Sequence, residues 1–258
     1  MSALIRLTCL LAFQITIGSY AWCESPDADN SLSIERIYNS EEFVAKSFGG
    51  QWLEGEAAYT TLEEDAEGKS VVRHDAATGD TSVMVPASEL IPPDEGKPLS
   101  IESYQWSKDK NRLLIFTQAK RVWRNNTRGD YWVLDRSSRQ LQKLGGDAPA
   151  SSLMFAKFSP DGKRVAYVRN RNLYMEDLRS NEIRQLTFST DEDTINGTTD
   201  WVYEEELGLR DAFRWSPDGK WIAYWPVSTA GVPKFPLINH TDSLYPKVRW
   251  FAYPKVGQ

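Results

Sequence analysis

The chain has 258 residues, enough for one large β domain or two ordinary ones, and 41% hydrophobic with 12% aromatic residues supplies an ample core. That composition excludes a disordered chain. A formal charge of −6, a pI near 5.2 and scattered Lys and Arg exclude a basic field, so nucleic acid is not an expected partner.

Met1 to Arg6 carry one positive side chain, and Leu7 to Tyr20 is mostly apolar with Gln14 as its main interruption. This stretch is too short for a comfortable membrane span. Ser19-Tyr20-Ala21 places small residues where a signal peptidase reads, so residues 1–21 are expected to be a cleaved signal peptide and the mature protein secreted or periplasmic. The alternative is an uncleaved N-terminal membrane anchor. Cys23 follows bulky Trp22, unlike a lipoprotein site, and once Cys9 leaves with the signal no internal disulfide can form.

Residues 22–51 read as a polar linker and a short helix at Ser40-Glu41-Glu42-Phe43 with Ser40 as N-cap. From Trp52 onward short alternating strands replace helical spacing. Three segments are variants of one unit: Trp106 to Phe116, Phe158 to Val168 and Trp215 to Trp225, beginning 52 and 57 residues apart. Each reads as strand, tight turn, strand. In Ser-Pro-Asp-Gly, Pro presets φ, Asp bonds back to the backbone, and Gly accepts the positive φ that ends the turn. Further hairpins are predicted at Val71 to Val85, Tyr131 to Leu144 and Leu173 to Leu186. Two hairpins per repeat give four strands, so the fold class is all-β: a partial β-propeller of four-stranded blades over residues 52–258, about three blades and the start of a fourth. A β-sandwich of hairpins shares the same turns and is the competing architecture.

Between the polar loop Asn196-Gly197-Thr198-Thr199 and the strand near Phe213 lies Asp200-Trp201-Val202-Tyr203-Glu204-Glu205-Glu206. It reads as a short helix with Thr199 or Asp200 as N-cap and its glutamates in or near the first turn. Such a run is commonly a solvated helix start. Trp201 and Tyr203 beside it, however, can shield a charge site, and paired carboxylates suit a primary ammonium with its three donors.

The run Thr199 to Leu207, followed by Phe213-Arg214-Trp215-Ser216-Pro217-Asp218-Gly219-Lys220, resembles the double-glutamate region of the dipeptidyl peptidase IV family. The resemblance implies a propeller segment in which Glu205 and Glu206 clamp the free α-ammonium of a peptide, leaving Glu204 outside the pair as a structural residue. Arg124, in Arg121-Val122-Trp123-Arg124, matches the family arginine that bonds a backbone carbonyl of the peptide; by itself it reads as a surface ion-pair partner. The implied activity is that of a serine exopeptidase releasing N-terminal dipeptides with penultimate Pro or Ala, and this chain is its substrate-gating part.

No Gly-x-Ser-x-Gly elbow occurs, and His74 and His240 lack a triad context, so no catalytic residue is assigned. The family's nucleophile comes from a C-terminal α/β-hydrolase domain, the implied covalent partner of this segment, and the chain reads as an incomplete propeller truncated before it. Homodimerisation of the full-length protein is implied in the same way. No cofactor or metal is expected: Asp191 to Gly197 departs from a calcium loop and Gly68-Lys69-Ser70 from a phosphate loop. The competing function is a non-enzymatic propeller of the cell envelope that binds peptide N-termini without cleaving them.

Overall fold

The computed structural model describes residues 31–45, 47–189 and 191–257, and the expected signal peptide at 1–21 lies outside them. The chain divides into two compact units, one ending at Phe48 and one starting at Gly49. In the first, α1 (Ile34–Asn39) is capped by Ser33, whose Oγ accepts from Arg36 N at 3.1 Å. The helix expected to begin at Ser40 therefore ends there. Ser33 already offers a capping oxygen with Glu35 behind it, and Ser40 Oγ donates back to Arg36 O at 2.5 Å as the C-cap.

The second unit is antiparallel β structure with few short helices. Strands β1 (Gln51–Trp52), β2 (Ala58–Asp65), β3 (Gly68–Asp75) and β4 (Thr81–Val85) form a four-stranded sheet in sequence order. After a 3-10 turn at Ala87–Leu90 come β5 (Ile101–Trp106), β6 (Arg112–Lys120), β7 (Arg128–Asp135) and β8 (Gln140–Lys143). A second meander follows: β9 (Leu153–Phe158), β10 (Arg164–Arg169), β11 (Asn172–Asp177) and β12 (Ile183–Gln185). The two meanders join where Arg128 and Gly129 of β7 pair with Met154 and Leu153 of β9.

Alternation along the strands sets the packing, because side chains of period two cover both faces of each sheet. Val71, Leu90, Ile101, Leu113, Ile115 and Leu134 fill the space between the first sheet and the β5–β8 meander. Leu114, Val133, Leu153, Val165 and Tyr167 do the same between the two meanders, and Ala166, Val168, Leu173 and Phe213 beyond them. Full burial of such side chains stabilises by about 1.5–3 kcal/mol each.

The tight turns form as the sequence spacing predicts. Asp109, Asp161 and Asp218 each accept from the hydroxyl two residues earlier and the backbone N–H two residues later. Gly162 and Gly219 take φ of 68°, and Lys110 stands at the same point with φ 60°. Successive turns are tied together: Arg112 Nη1 donates to Gly162 O at 3.0 Å, and Arg164 Nη2 donates to Gly219 O at 2.8 Å. The hairpins expected at Val71 to Val85, Tyr131 to Leu144 and Leu173 to Leu186 also form, and they share a second recurrent turn. Asp75, Asp135 and Asp177 end β3, β7 and β11, and each Oδ1 accepts from the N–H groups two and three residues on.

Beyond β12 the strands are short: β13 (Thr194–Asn196) pairs with β16 (Pro226–Ser228), and β14 (Phe213–Trp215) with β15 (Ile222–Tyr224). The hairpin β17 (Lys234–Asn239) and β18 (Lys247–Ala252) closes the described chain. The acidic helix α2 (Trp201–Leu207) lies between β13 and β14. Among the described residues no helix is long and apolar enough to cross a membrane.

Candidate functional site

The acidic run stands on an excursion whose two ends are fastened together. Thr198 and Asp211 form an isolated antiparallel bridge, Thr198 Oγ1 donates to Arg210 O at 2.9 Å, and Thr199 Oγ1 donates to Leu209 O at 2.6 Å. Asp211 is held in turn by Lys157 Nζ, 2.5 and 2.6 Å from its two carboxylate oxygens. Both threonines are buried, and each hydroxyl satisfies a backbone carbonyl. Gly197 enters the excursion with φ 80°; a Cβ there would lie 2.6 Å from Leu173 Cδ2.

Asp200, not Thr199, is the N-cap, its Oδ1 accepting from Tyr203 N at 3.0 Å, and Gly208 ends the helix at φ 65°. The glutamates therefore begin at the close of the first turn. At about 100° of rotation per residue, three consecutive side chains must face different surroundings. Glu204 is buried, the Glu205 side chain is only 3% exposed, and Glu206 is exposed. Burial pushes the Glu204 carboxyl above the usual carboxylate range; the Asn125 side chain and the Arg210 charge offset part of this, and the Glu205 charge adds to it.

Arg124 arrives from the loop between β6 and β7. A register shift between Thr117 and Lys120, with Gln118 at φ 48°, bends β6 just before that loop. Inside it Val122 N donates to Asn125 O at 3.0 Å and Arg121 Nε to Trp123 O at 2.6 Å. Arg124 Nε comes within 2.5 Å of Glu205 Oε2, while the Arg124 side chain stays 75% exposed. Two of the three residues singled out in the sequence are thus in direct contact, and they lie 81 positions apart in the chain. Glu206 has no ion-pair partner among the described residues.

Trp201 supports the helix from below. Its ring lies 5.2 Å from Phe251 and 4.9 Å from Tyr253, and Trp123 of the arginine loop lies 5.6 Å from the same Phe251. Tyr203, expected to shield the acids as well, is instead 39% exposed because it follows the cap on the outer face of the helix. Aromatic packing therefore locks the two functional elements to the β17–β18 hairpin.

Glu205 Oε1 is buried without a hydrogen-bond partner, and so is Glu204 Oε1. An orphaned buried acceptor costs about 1–3 kcal/mol, more when charged, which favours any donor that reaches it. A cavity of about 410 Å³ opens beside the helix, lined by Glu204, Trp201 and Trp123 among others; Glu205, Glu206 and Arg124 are not in its wall. Sequence reading set Glu204 aside as structural. Its buried surroundings include the Asn125 side chain and the Arg210 charge, which no local spacing reveals.

The chain is similar to several known proteins. Residues 107–258 match the family described as Dipeptidyl peptidase IV (DPP IV) N-terminal region. A probable dipeptidyl-aminopeptidase B of Talaromyces stipitatus is 30% identical over 251 residues, covering 93% of this chain and 26% of that protein. One from Sordaria macrospora is 29% identical over 248 residues, covering 88% and 27%. The crystal structure of Porphyromonas gingivalis dipeptidyl peptidase 4 superposes with a TM-score of 0.77 at 27% identity, covering 89% of this chain and 32% of that one. The chain thus spans about a quarter of the length of the curated relatives it matches. With the family match extending over more than half of its residues, the chain belongs to the dipeptidyl peptidase IV N-terminal region family.

Proposed function

We propose that this chain is the substrate-gating part of a serine exopeptidase that releases N-terminal dipeptides, typically with penultimate Pro or Ala, from peptides with a free N-terminus. Glu205 and Glu206 hold the substrate α-ammonium, and Arg124 donates to the next backbone carbonyl. The observation that carries this reading is the state of Glu205: one oxygen on Arg124 and the other buried and unpartnered. A primary ammonium supplies the missing donor, and exposed Glu206 meets it from the solvent side. Capped or internal peptide segments leave Glu205 Oε1 unsatisfied, which penalises them by about 1–3 kcal/mol or more.

In the same reading the meanders β5–β8 and β9–β12, with the β1–β4 sheet before them, are successive propeller blades. Their support is the face-to-face packing of each unit on the next and the Arg-to-turn ties between units. The nucleophile comes from an α/β-hydrolase domain of the full-length protein, which is exported by the segment at residues 1–21 and acts outside the cytoplasm. The names of the relatives, dipeptidyl-aminopeptidase B and dipeptidyl peptidase 4, support the reaction class.

The test is steady-state kinetics of the full-length protein on a dipeptide anilide with penultimate proline. Glu205→Gln is expected to lower kcat/KM by about 2–4 kcal/mol, roughly 30- to 1000-fold. Unchanged kcat/KM would remove Glu205 from the clamp and leave peptide binding without cleavage as the function to assay.

A further inference from the structure

The cavity beside α2 has features the peptide clamp does not use. Its volume is about 410 Å³, and its wall includes the rings of Trp123, Trp201 and Phe251, which pack on one another. Charged groups also line it: Arg128, Arg171, Lys234 and Glu192 are exposed and screened by salt, while half-buried Asp200 accepts from Tyr203 N and half-buried Asp193 accepts from Thr229 Oγ1. Glu204 is different. It is 5% exposed, and its Oε1 has no partner. Ser152, on the same wall, also has a buried Oγ without a partner. The Glu204 carboxyl meets the Asn125 side chain and the Arg210 charge, but its Oε1 and the Ser152 hydroxyl are left unpartnered, and in an aromatic-walled space together they suit a ligand with a cationic N–H donor head and a flat apolar body.

We propose that this cavity is a second binding site, separate from the peptide clamp, for a small aromatic or apolar cation whose amidinium, guanidinium or ammonium head pairs with Glu204 and bonds Ser152. Helix geometry separates the two sites: Glu205 and Glu206 turn about 100° and 200° away from Glu204. Neither residue lines the cavity.

Benzamidine is the probe, titrated calorimetrically into the full-length protein carrying Glu205→Gln and Glu206→Gln together, so that the clamp is silent. Saturable one-to-one binding is expected in this background. Adding Glu204→Gln, which preserves shape, weakens it at least about tenfold by removing the charge-assisted pair. Adding Ala252→Phe instead fills the cavity and abolishes binding while leaving Glu204 in place. No saturable binding in the double variant, or undiminished affinity after Glu204→Gln, overturns the proposal. Because Glu205 and Glu206 are already neutral in every arm, failure here leaves the clamp reading untouched.

Discussion

Glu204 and Glu205 are neighbours in sequence with different partners: Glu205 meets the Arg124 guanidinium, and Glu204 meets the Asn125 side chain and the Arg210 charge. Glu204 is buried with a raised pKa, so the folded state binds its proton more tightly than the unfolded chain does. Its stabilising contribution is fully present below the ordinary carboxylate pKa and is lost as pH rises through the raised value. Glu204→Gln is therefore expected to raise Tm near neutral pH and to flatten the decline between acidic and neutral pH in thermal unfolding; an unchanged slope would contradict the assignment. Glu176 behaves in the same direction for the same first reason, burial, although Gly145 N donates to its Oε2 at 2.9 Å. Arg124→Ala is expected to lower kcat/KM of the full-length protein by about tenfold, since one charge-assisted bond to substrate is lost. An accompanying Arg124→Lys variant that restores less than half the loss would show that the planar fork matters, not the charge alone.

At the level of elements, the site depends on a seven-residue helix that could not persist alone. Its cap, the threonine fastenings and Gly197 do the positioning. Asp200→Ala is expected to cost about 1 kcal/mol of stability in denaturant unfolding. Gly197→Ala is expected to cost about 2–3 kcal/mol, because the left-handed backbone is strained for Ala and the new methyl group meets Leu173. A wild-type midpoint for Gly197→Ala would mean the excursion adjusts freely.

Much of this was legible in the sequence. The Ser-Pro-Asp-Gly turns are legible because each residue type has one job in the turn, whereas Thr199 and Asp200 both offer a capping oxygen in sequence, and the bond from Tyr203 N to Asp200 Oδ1 decides between them. The hairpins that turn at Asp75, Asp135 and Asp177 were legible as well, but their shared Asp cap was not, because the residues after each Asp differ and only the backbone N–H groups are common. Ser40 was misread for a related reason: a serine beside two glutamates fits a helix start, but Ser33 lies one helix earlier with an equal claim. The contact of Arg124 with Glu205 follows from tertiary packing around Phe251, whose position no local pattern encodes.

On the scale of the whole molecule, stability rests on units stacked through apolar faces and stitched at their turns. Arg164 is such a stitch: it bonds Gly219 O at 2.8 Å, and its guanidinium lies 5.3 Å from the Trp215 ring. The glycine carbonyl it holds belongs to the unit that carries α2. The contact between Arg124 and Glu205 thus joins two units rather than lying inside one, and loosening the join blurs the distance between them. The β17–β18 hairpin holds both the helix and the arginine loop through Phe251.

The most direct test of the account compares a free and an N-acetylated dipeptide anilide, with penultimate proline, on the full-length protein and its Glu205→Gln variant. The wild type is expected to cleave the free-amine substrate and to discriminate against the acetylated one, and Glu205→Gln is expected to lose most of that discrimination by losing the free-amine rate. Equal discrimination in both proteins would contradict the claim that Glu205 reads the ammonium.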